Sequence, residues 1–178
     1  MGNFAQQIIK DYEKFIRRLN QQNLPENFVK SSPEGKANML MKEVEDFVLL
    51  IKEENALFKE ISSTVKKTKD KGLKRELKKI KQELSETSKH QIRKYYHRLL
   101  DIKGEMVGND IKRFYPKIAM TSAFASYDKS RGNIGQAFKK FLTDLTKEAV
   151  KGDKNTFLEL MTLFEAVVAY SVLHIEKN

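Results

Sequence analysis

The residues best suited to bind a metal ion or to take part in a reaction lie on one predicted helix near the middle of the chain. His97, Asp101 and Glu105 are spaced by four residues, so on a helix they share one face and offer nitrogen and oxygen ligands to a metal ion. His90 lies on the same face. The same helix is crowded with cations, among them Lys94, Arg98 and Lys103. Because this positive charge repels a metal cation, we interpret the face as a solvated surface with helix-supporting charge pairs and predict no metal site.

Sites for other chemistry are missing from the sequence. Without a Cys the chain has no disulfide, no thiolate zinc site, no iron–sulfur cluster and no Cys nucleophile. It has no Glu-x-x-His pair, no Gly-rich phosphate loop and no Gly-x-Ser-x-Gly motif. Glu165 lies in the most apolar predicted helix, where we expect a structural ion pair rather than a catalytic acid. We therefore predict no catalytic residue, no cofactor and no enzymatic activity.

Net charge is the more informative property of this chain. Its 178 residues include 34 Lys and Arg against 24 Asp and Glu, which gives a formal net charge of +10. Such an excess predicts a polyanionic partner, with nucleic acid ahead of an acidic membrane surface. The densest run, residues 66–81, contains nine basic and two acidic residues. The alternative for this run is a surface that only keeps the protein soluble.

A second basic cluster is interleaved with aromatic residues. Its cations are Lys89, Arg93, Lys94 and Arg98, followed beyond a break by Lys112, Arg113 and Lys117. The aromatic residues among them are Tyr95, Tyr96, Phe114 and Tyr115. Such a surface suits phosphate contacts with some base stacking. For Tyr96 and Phe114, however, we favour a position in the hydrophobic core.

The elements that position these residues are predicted to be helices throughout. Apolar residues recur at intervals of three and four along the chain, and no long stretch alternates apolar and polar residues as a strand does. The predicted helices cover residues 4–19, 34–66, 73–84, 88–103, 111–126, 134–150 and 154–174, with a linker at 23–33. Pro116 must kink its segment or open a new helix. Small residues at 119–126 would let a neighbouring helix approach closely. The predicted fold class is all-α, a compact multi-helix bundle.

We place a soft boundary between residues 85 and 86. Residues 1–85 are predicted to form an N-terminal helical extension with a basic helix. Residues 86–178 are predicted to form a C-terminal helical bundle, in which about five helices close a core of their own. The last helix is apolar on most sides, so we expect it at the centre, with Leu160, Phe164, Val167 and Val168 in the core.

Two features predict where the protein resides. The first residues lack the apolar centre of a secretory signal peptide. The longest strongly apolar run, residues 47–51, is far shorter than the ~20 residues that span a bilayer. Both features predict a soluble cytoplasmic protein without a membrane partner.

Three stretches of the second half, in order and at matching spacing, resemble one known family. They are Thr87-Ser88-Lys89-His90-Gln91-Ile92-Arg93-Lys94-Tyr95-Tyr96, Phe114-Tyr115-Pro116-Lys117-Ile118-Ala119 and Phe164-Glu165-Ala166-Val167-Val168-Ala169-Tyr170. They are similar to a Thr/Ser-capped helix with Gln-Ile-Arg-Lys, a Lys-Pro-Lys-Leu-Ala-Tyr segment and a terminal Phe-Glu-Ala-Ile-Val-Ala-Tyr helix. That family is the small subunit of the type III-A CRISPR effector complex, the Csm complex, and the likeness covers about residues 86–175.

The resemblance implies an all-α, non-catalytic subunit, with several copies packed as a filament beside other CRISPR effector subunits. Such copies line the channel where target RNA pairs with guide RNA, so base pairing reads the sequence while the protein contacts the backbone. By motif position, the resemblance implies RNA contacts by Gln91, Arg93, Lys94 and Lys117. On charge and helical proximity we add Arg98, Arg113, Lys129 and Arg131.

Two other functions stay open at this point. A DNA-binding regulator of the helix-turn-helix type would need a recognition helix and a two-fold dimer. The break at Lys103–Gly108 could be its turn, although it is long for that motif. The other alternative is an adaptor whose apolar C-terminal helix docks a partner protein, with the positive charge serving only solubility.

Overall fold

Nine α-helices and one 3-10 turn account for most of the chain that the structure describes. The structure, a computed structural model, describes residues 2–176. The helices are α1 (Gly2–Gln21), α2 (Leu24–Lys30), α3 (Pro33–Met41), α4 (Glu43–Lys67), α5 (Lys71–Glu83), α6 (Lys89–Glu105), α7 (Tyr115–Ser130), α8 (Gln136–Lys151) and α9 (Lys154–His174). The 3-10 turn, Ile111–Phe114, precedes α7. These described residues contain no strand, and the predicted all-α bundle is confirmed.

Side-chain caps fix where several helices begin. The Ser32 hydroxyl accepts a hydrogen bond from a first-turn backbone N–H of α3, and Ser88 caps α6 in the same way. The carboxylates of Asp70 and Asp153 cap α5 and α9. Pro116 occupies the first turn of α7, where its missing N–H costs no hydrogen bond. It therefore opens a new helix rather than kinking an existing one.

Two helix boundaries differ from the prediction. The expected linker at 23–33 contains α2, because Pro25 suits a first helical turn and Leu24 and Phe28 are buried in the core. The expected helix at 34–66 is broken at Lys42, where a φ of −128° separates α3 from α4. The apolar spacing continues across Lys42, so periodicity alone does not reveal this break.

Helix α9 lies at the centre of the core, as its composition predicts. It packs against α2, α4, α6 and α8. Leu160, Phe164 and Val167 are fully buried, whereas Val168 is half-buried. The rings of Phe164 and Phe141 meet edge to face with their centroids 5.3 Å apart. One continuous set of buried apolar residues extends from Ala5 to Ile175.

The composition of α9 also matches that of a membrane span. Over 18 residues its mean hydropathy is 1.6, and its length is sufficient to cross a bilayer. Helix α9 does not stand out as an unbroken apolar run, because Glu159 and Glu165 interrupt its sequence. In this fold α9 buries its apolar face against neighbouring helices, which is what a central helix requires.

One buried carboxylate joins the two halves of the chain. Glu54, in the middle of α4, is only 1% exposed. Its Oε1 accepts a hydrogen bond from the Gln136 N–H at 2.6 Å, and its Oε2 accepts one from the Ala137 N–H at 2.9 Å. These are the first two N–H groups of α8. Glu54 therefore caps α8 from 82 residues away, at the end of the helix where the dipole favours negative charge.

A glycine is required beside this carboxylate. A Cβ atom at Gly135 would lie 2.4 Å from Oε2 of Glu54, which is closer than non-bonded atoms approach. The Gly135 N–H donates to the Thr87 hydroxyl at 2.7 Å. Asn55 in turn holds the backbone of Thr87 through hydrogen bonds of 2.7 and 2.9 Å. One turn of α4 thus anchors the starts of α6 and α8. These hydrogen bonds connect residues on both sides of the expected boundary between residues 85 and 86. The division into two parts at that boundary stays a prediction.

Burial shifts the proton affinity of Glu54. Desolvation raises the pKa of its carboxyl from the ordinary 4.5 to about 7, against the opposing effect of the Ala137 and Gln136 N–H donors. Between these two pH values the folded protein binds a proton that the unfolded chain has released. This linkage stabilises the fold fully below about pH 4.5, and the stabilisation is lost as the pH rises through 7.

We predict that Glu54→Gln removes this pH dependence. As the pH rises from 5 to 8, the free energy of unfolding of the wild type should fall relative to that of Glu54→Gln by about 2–3 kcal/mol. Urea unfolding at four pH values across this range measures the difference. Glu76→Gln, which neutralises an exposed carboxylate on α5, is the control and should follow the wild type. Parallel curves for wild type and Glu54→Gln would contradict the raised pKa.

Candidate nucleic-acid groove

An open groove of about 720 Å³ runs between α6 and α7. Helix α6 contributes most of its polar lining, and α7 contributes one cation and two exposed apolar side chains. The lining residues are His90, Lys94, His97, Arg98, Asp101, Ile102, Glu105, Lys117, Met120 and Phe124. The fold therefore brings three of the predicted RNA-binding residues, Lys94, Arg98 and Lys117, to one surface.

Asp128, near the end of α7, joins the two walls of the groove. The residue is 6% exposed. Oδ2 accepts hydrogen bonds from the Tyr95 hydroxyl at 2.8 Å and from the Lys94 ammonium at 3.0 Å, both on α6. Oδ1 accepts one from the Asn133 side-chain amide at 3.2 Å, in the loop after α7. Asp128 thus holds α6 against the C-terminal end of α7.

These contacts set the ionisation of the groups around Asp128. Burial alone would raise the pKa of Asp128, but the hydrogen bonds from Tyr95, Lys94 and Asn133 outweigh burial and hold the pKa below its ordinary value. Burial and the bond to Asp128 raise the pKa of Tyr95, so its hydroxyl remains a donor. The Lys94 side chain is still 46% exposed, which leaves N–H groups free to meet a ligand.

Carboxylates partly neutralise the positive charge of the groove. Lys117 forms an ion pair with Glu105 across it, and both side chains are exposed. Asp101 also lines the groove, so three cations face two carboxylates and the net formal charge is +1 with neutral histidines. The sequence places Asp101 and Glu105 on one face of this helix, but it does not show that Glu105 pairs with Lys117 of α7. A phosphate must therefore compete with Glu105 for Lys117.

The other predicted RNA-binding residues lie outside the groove lining. Arg93 is exposed on a neighbouring face of α6, and Arg113 is exposed in the 3-10 turn. Gln91 is half-buried, and its Oε1 is shielded from solvent without a hydrogen-bond partner among the described residues. Arg131 is exposed just after α7, and Lys129 is half-buried on α7. The predicted set therefore does not form a single continuous patch.

Lys129 differs from the other predicted RNA-binding cations because it is half-buried near two carboxylates. Burial lowers the pKa of its ammonium, and the carboxylates of Glu54 and Glu83 oppose this shift. Any phosphate at Lys129 would approach these two carboxylates as well. The RNA contact assigned to Lys129 stays a prediction.

The exposed aromatic residues near the groove are not the ones that the sequence indicated. Tyr95, Tyr96, Phe114 and Tyr115 are all buried or half-buried. Phe124 and Tyr127, both on α7, are instead 37% and 56% exposed. The core position favoured for Phe114 is right, and base stacking by the buried Tyr95 is not possible. The Tyr127–Arg131 spacing of four residues was the signal that could have indicated this surface.

The residues considered for metal or acid chemistry form no such site in the described structure. Among residues 2–176, no group of three or more His, Cys, Asp or Glu side chains is placed to hold a metal ion. The prediction that Glu165 forms a structural ion pair is wrong, because none of the ion pairs among the described residues includes Glu165. Glu165 is exposed, on the solvent-facing stripe of α9 that also carries Thr162 and Ala169. The buried carboxylates among the described residues are Glu54 and Asp128.

A second cationic surface lies on α5, the turn before it and the last residues of α4. None of the nine Lys and Arg residues at 66–81 takes part in an ion pair of the described structure. Helix α5 packs on α4 and α1. Its cations therefore lie apart from the α6–α7 groove and provide a matched control for charge.

Comparison with known proteins identifies one family. A protein-family model described as Csm2 Type III-A matches residues 59–176. The match runs from the second half of α4 to the end of α9 and includes both walls of the groove. Comparison with the curated proteins and with the solved structures gives no match.

We predict that Asp128→Asn destabilises the joint between α6 and α7. The amide cannot accept from Tyr95, Lys94 and Asn133 together, so the free energy of unfolding at pH 7 should fall by about 1–3 kcal/mol. Because the pKa of Asp128 is lowered on folding, its stabilisation is lost as the pH falls below the ordinary 3.8, and the difference between variant and wild type should shrink there. Urea unfolding at pH 7 and pH 3.5 tests this.

The matched control is Asp101→Asn, which removes an exposed groove carboxylate. Its effect should stay within about 0.5 kcal/mol, as for most surface substitutions. Equal stability of the two variants at pH 7 would contradict the role assigned to Asp128.

Proposed function

Because the chain belongs to the Csm2 family, the small subunit of the type III-A CRISPR effector complex, we propose that it binds RNA there without catalysing a reaction. As a member of this family the chain associates with other Csm subunits. The proposed ligand is the backbone of guide and target RNA, and the proposed binding surface is the α6–α7 groove. The single observation that carries this proposal is the convergence of Lys94, Arg98 and Lys117 on an open groove.

The groove suits a backbone contact better than a base-reading contact. Lys and Arg ends bind phosphate oxygens of any sequence, and phosphate contacts fix register without reading bases. In a guided effector, base pairing between guide and target supplies the sequence specificity. Arg93, Gln91, Arg113, Lys129 and Arg131 complete the proposed contact set outside the groove.

We also propose that copies of this subunit pack against one another. The support is a group of exposed apolar side chains near the start of α4 and the end of α9: Met41, Leu49, Val172 and Leu173, which are 64%, 40%, 45% and 73% exposed. The end of α9 meets the junction of α3 and α4 where the Tyr170 hydroxyl donates to the Met41 carbonyl at 3.1 Å. Apolar side chains exposed in this way suit burial at a subunit contact.

The connection between α6 and α7 argues against the DNA-binding alternative. Residues 106–114, including the 3-10 turn, separate the two helices. A helix-turn-helix motif joins its helices through a turn of about three or four residues. The predicted break at Lys103–Gly108 is thus part of a longer connection that does not suit such a motif.

We predict that Lys94/Arg98/Lys117→Gln weakens RNA binding uniformly. If about four phosphates are neutralised per copy, the slope of log affinity against log salt for single-stranded RNA is about −3 in the wild type. Removing three cations should reduce the slope to about −1 and lower the affinity equally for two RNAs of unrelated sequence. Gln is shorter than Lys and Arg but keeps part of the aliphatic stem and, at position 94, an N–H donor for Asp128, so the fold should survive.

The control variant is Lys71/Lys78/Lys79→Gln, which removes the same charge from exposed positions on α5. Its salt slope should match that of the wild type. Glu105→Gln frees Lys117 from its ion-pair partner and should tighten RNA binding, whereas Glu76→Gln on α5 should not. A loss confined to the α5 variant would contradict the groove assignment. A loss for only one of the two RNAs would favour a protein that reads bases.

A further inference from the structure

The outer face of α7 carries an exposed stripe of apolar and basic side chains. Lys117, Met120, Phe124, Tyr127 and Arg131 follow at intervals of three and four residues, so they lie along one side of the helix. Met120, Phe124 and Tyr127 are 49%, 37% and 56% exposed. The stripe extends for about 21 Å, from Lys117 at one end to Arg131 at the other. It begins at the groove, which Lys117, Met120 and Phe124 also line.

Each of the two aromatic rings has an arginine partner. The Arg98 guanidinium, which comes from α6, lies 3.9 Å from the centroid of the Phe124 ring. The Arg131 guanidinium lies 5.6 Å from the centroid of the Tyr127 ring, and its Nη1 donates to the Tyr127 hydroxyl at 2.8 Å. These cation–π contacts orient both rings. The pairs therefore combine an ordered aromatic surface with a phosphate-binding cation.

Rings that are exposed side by side are available to a ligand, unlike those of the core. Phe138, Phe141 and Phe164, for comparison, are all at least 97% buried and pack on one another. Phe124 and Tyr127 lie three residues apart, which on a helix is about 4.5 Å along the axis. Two neighbouring rings at this spacing, flanked by cations, offer planar surfaces to flat groups that are attached to a polyanion.

We propose that Phe124 and Tyr127 stack on unpaired bases of single-stranded RNA, while Arg98 and Arg131 contact the adjoining phosphates. This inference rests on the proposed RNA-binding function and adds a base-contacting role to the groove. Stacking on an aromatic ring accepts every base, because each base has a π face. The contact therefore adds affinity for bases that are free of pairing without adding sequence specificity.

Charge favours RNA over a protein as the occupant of this stripe. On the stripe itself the charged residues are Lys117 and Arg131, both basic, and Arg98 adds a third cation from α6. The nearest groove carboxylates, Asp101 and Glu105, belong to the facing helix. A polyanion that carries aromatic bases matches both properties of the surface.

The experiment compares two RNAs of equal length, one with normal bases and one with abasic sugars at every position. Because the phosphates are the same, any preference for the first RNA measures contacts with bases. Wild type should bind it about 5- to 150-fold more tightly per stacked ring. Phe124→Leu/Tyr127→Leu keeps apolar side chains but removes the π faces. This variant should lose the preference and keep the affinity and the salt slope for the abasic RNA.

Phe4→Leu is the matched control, because Phe4 is 55% exposed on α1, away from the stripe. It should keep the preference for bases. The inference would be overturned if wild type bound both RNAs equally, or if the double variant kept the preference. It would also be overturned if the double variant, with an unchanged thermal midpoint, lost affinity equally for both RNAs.

The same binding data distinguish a failure of base stacking from a failure of RNA binding as a whole. If wild type shows a salt-dependent affinity but no preference for bases, the proposed function stands and the stacking role fails. If wild type binds neither RNA at any salt concentration, both fail. A double variant that binds RNA normally but no longer enters the effector complex would identify the stripe as a protein-docking surface and overturn the inference.

Discussion

The fold depends on the hydrogen bonds that Glu54 forms at the start of α8. A carboxyl group that is 1% exposed would be costly without hydrogen-bond partners, and two backbone N–H groups with no partner within their own helix would be costly as well. The two N–H groups donate hydrogen bonds to the two carboxylate oxygens, with N···O distances of 2.6 and 2.9 Å. The close packing that this requires leaves no room for a Cβ atom at Gly135. The same turn of α4 holds Thr87 through Asn55.

The position of the groove follows from these bonds. Helix α6 begins two residues after Thr87, and α8 begins one residue after Gly135. The loop between α7 and α8 is thus fixed at its end by Thr87 and near its start by Asp128. With both anchors in place, α6 and α7 lie on either side of an open groove. The net charge of +1 in the groove lining would give each copy a modest attraction for RNA. If several copies pack together as proposed, these attractions would add along a bound strand.

Most of the helices follow from sequence because their determinants are local. The caps at Ser32, Ser88 and Asp153 and the apolar pattern of α9 are readable within a few residues. Helix α2 is short, and its anchor residues contact the core only in three dimensions. Glu54 lies among the charged residues of α4, and local spacing indicates a solvated position because its partners are 82 and 83 residues away.

The candidate groove was predictable in part. The cations of α6 and α7 were found by charge and by resemblance, but their ion pairs with Asp128 and Glu105 depend on how the two helices face each other. Small residues at 119–126 do serve packing, since Ala125 is buried and Ser122 contacts Thr143 of α8. The same stretch exposes Phe124 on its other side, and its partner Arg98 lies on a different helix.

Photo-cross-linking of RNA within the assembled effector complex tests the location of the RNA most directly. Uridines that carry a photoreactive base would be placed along the bound RNA, and the cross-linked peptides of this subunit would be identified by mass spectrometry. The result expected is cross-linking in residues 89–105 and 115–131, the two walls of the groove, with Phe124 or Tyr127 among the modified residues. Cross-links confined to residues 71–83 of α5, or absent from this subunit, would contradict an RNA-binding role for the α6–α7 groove.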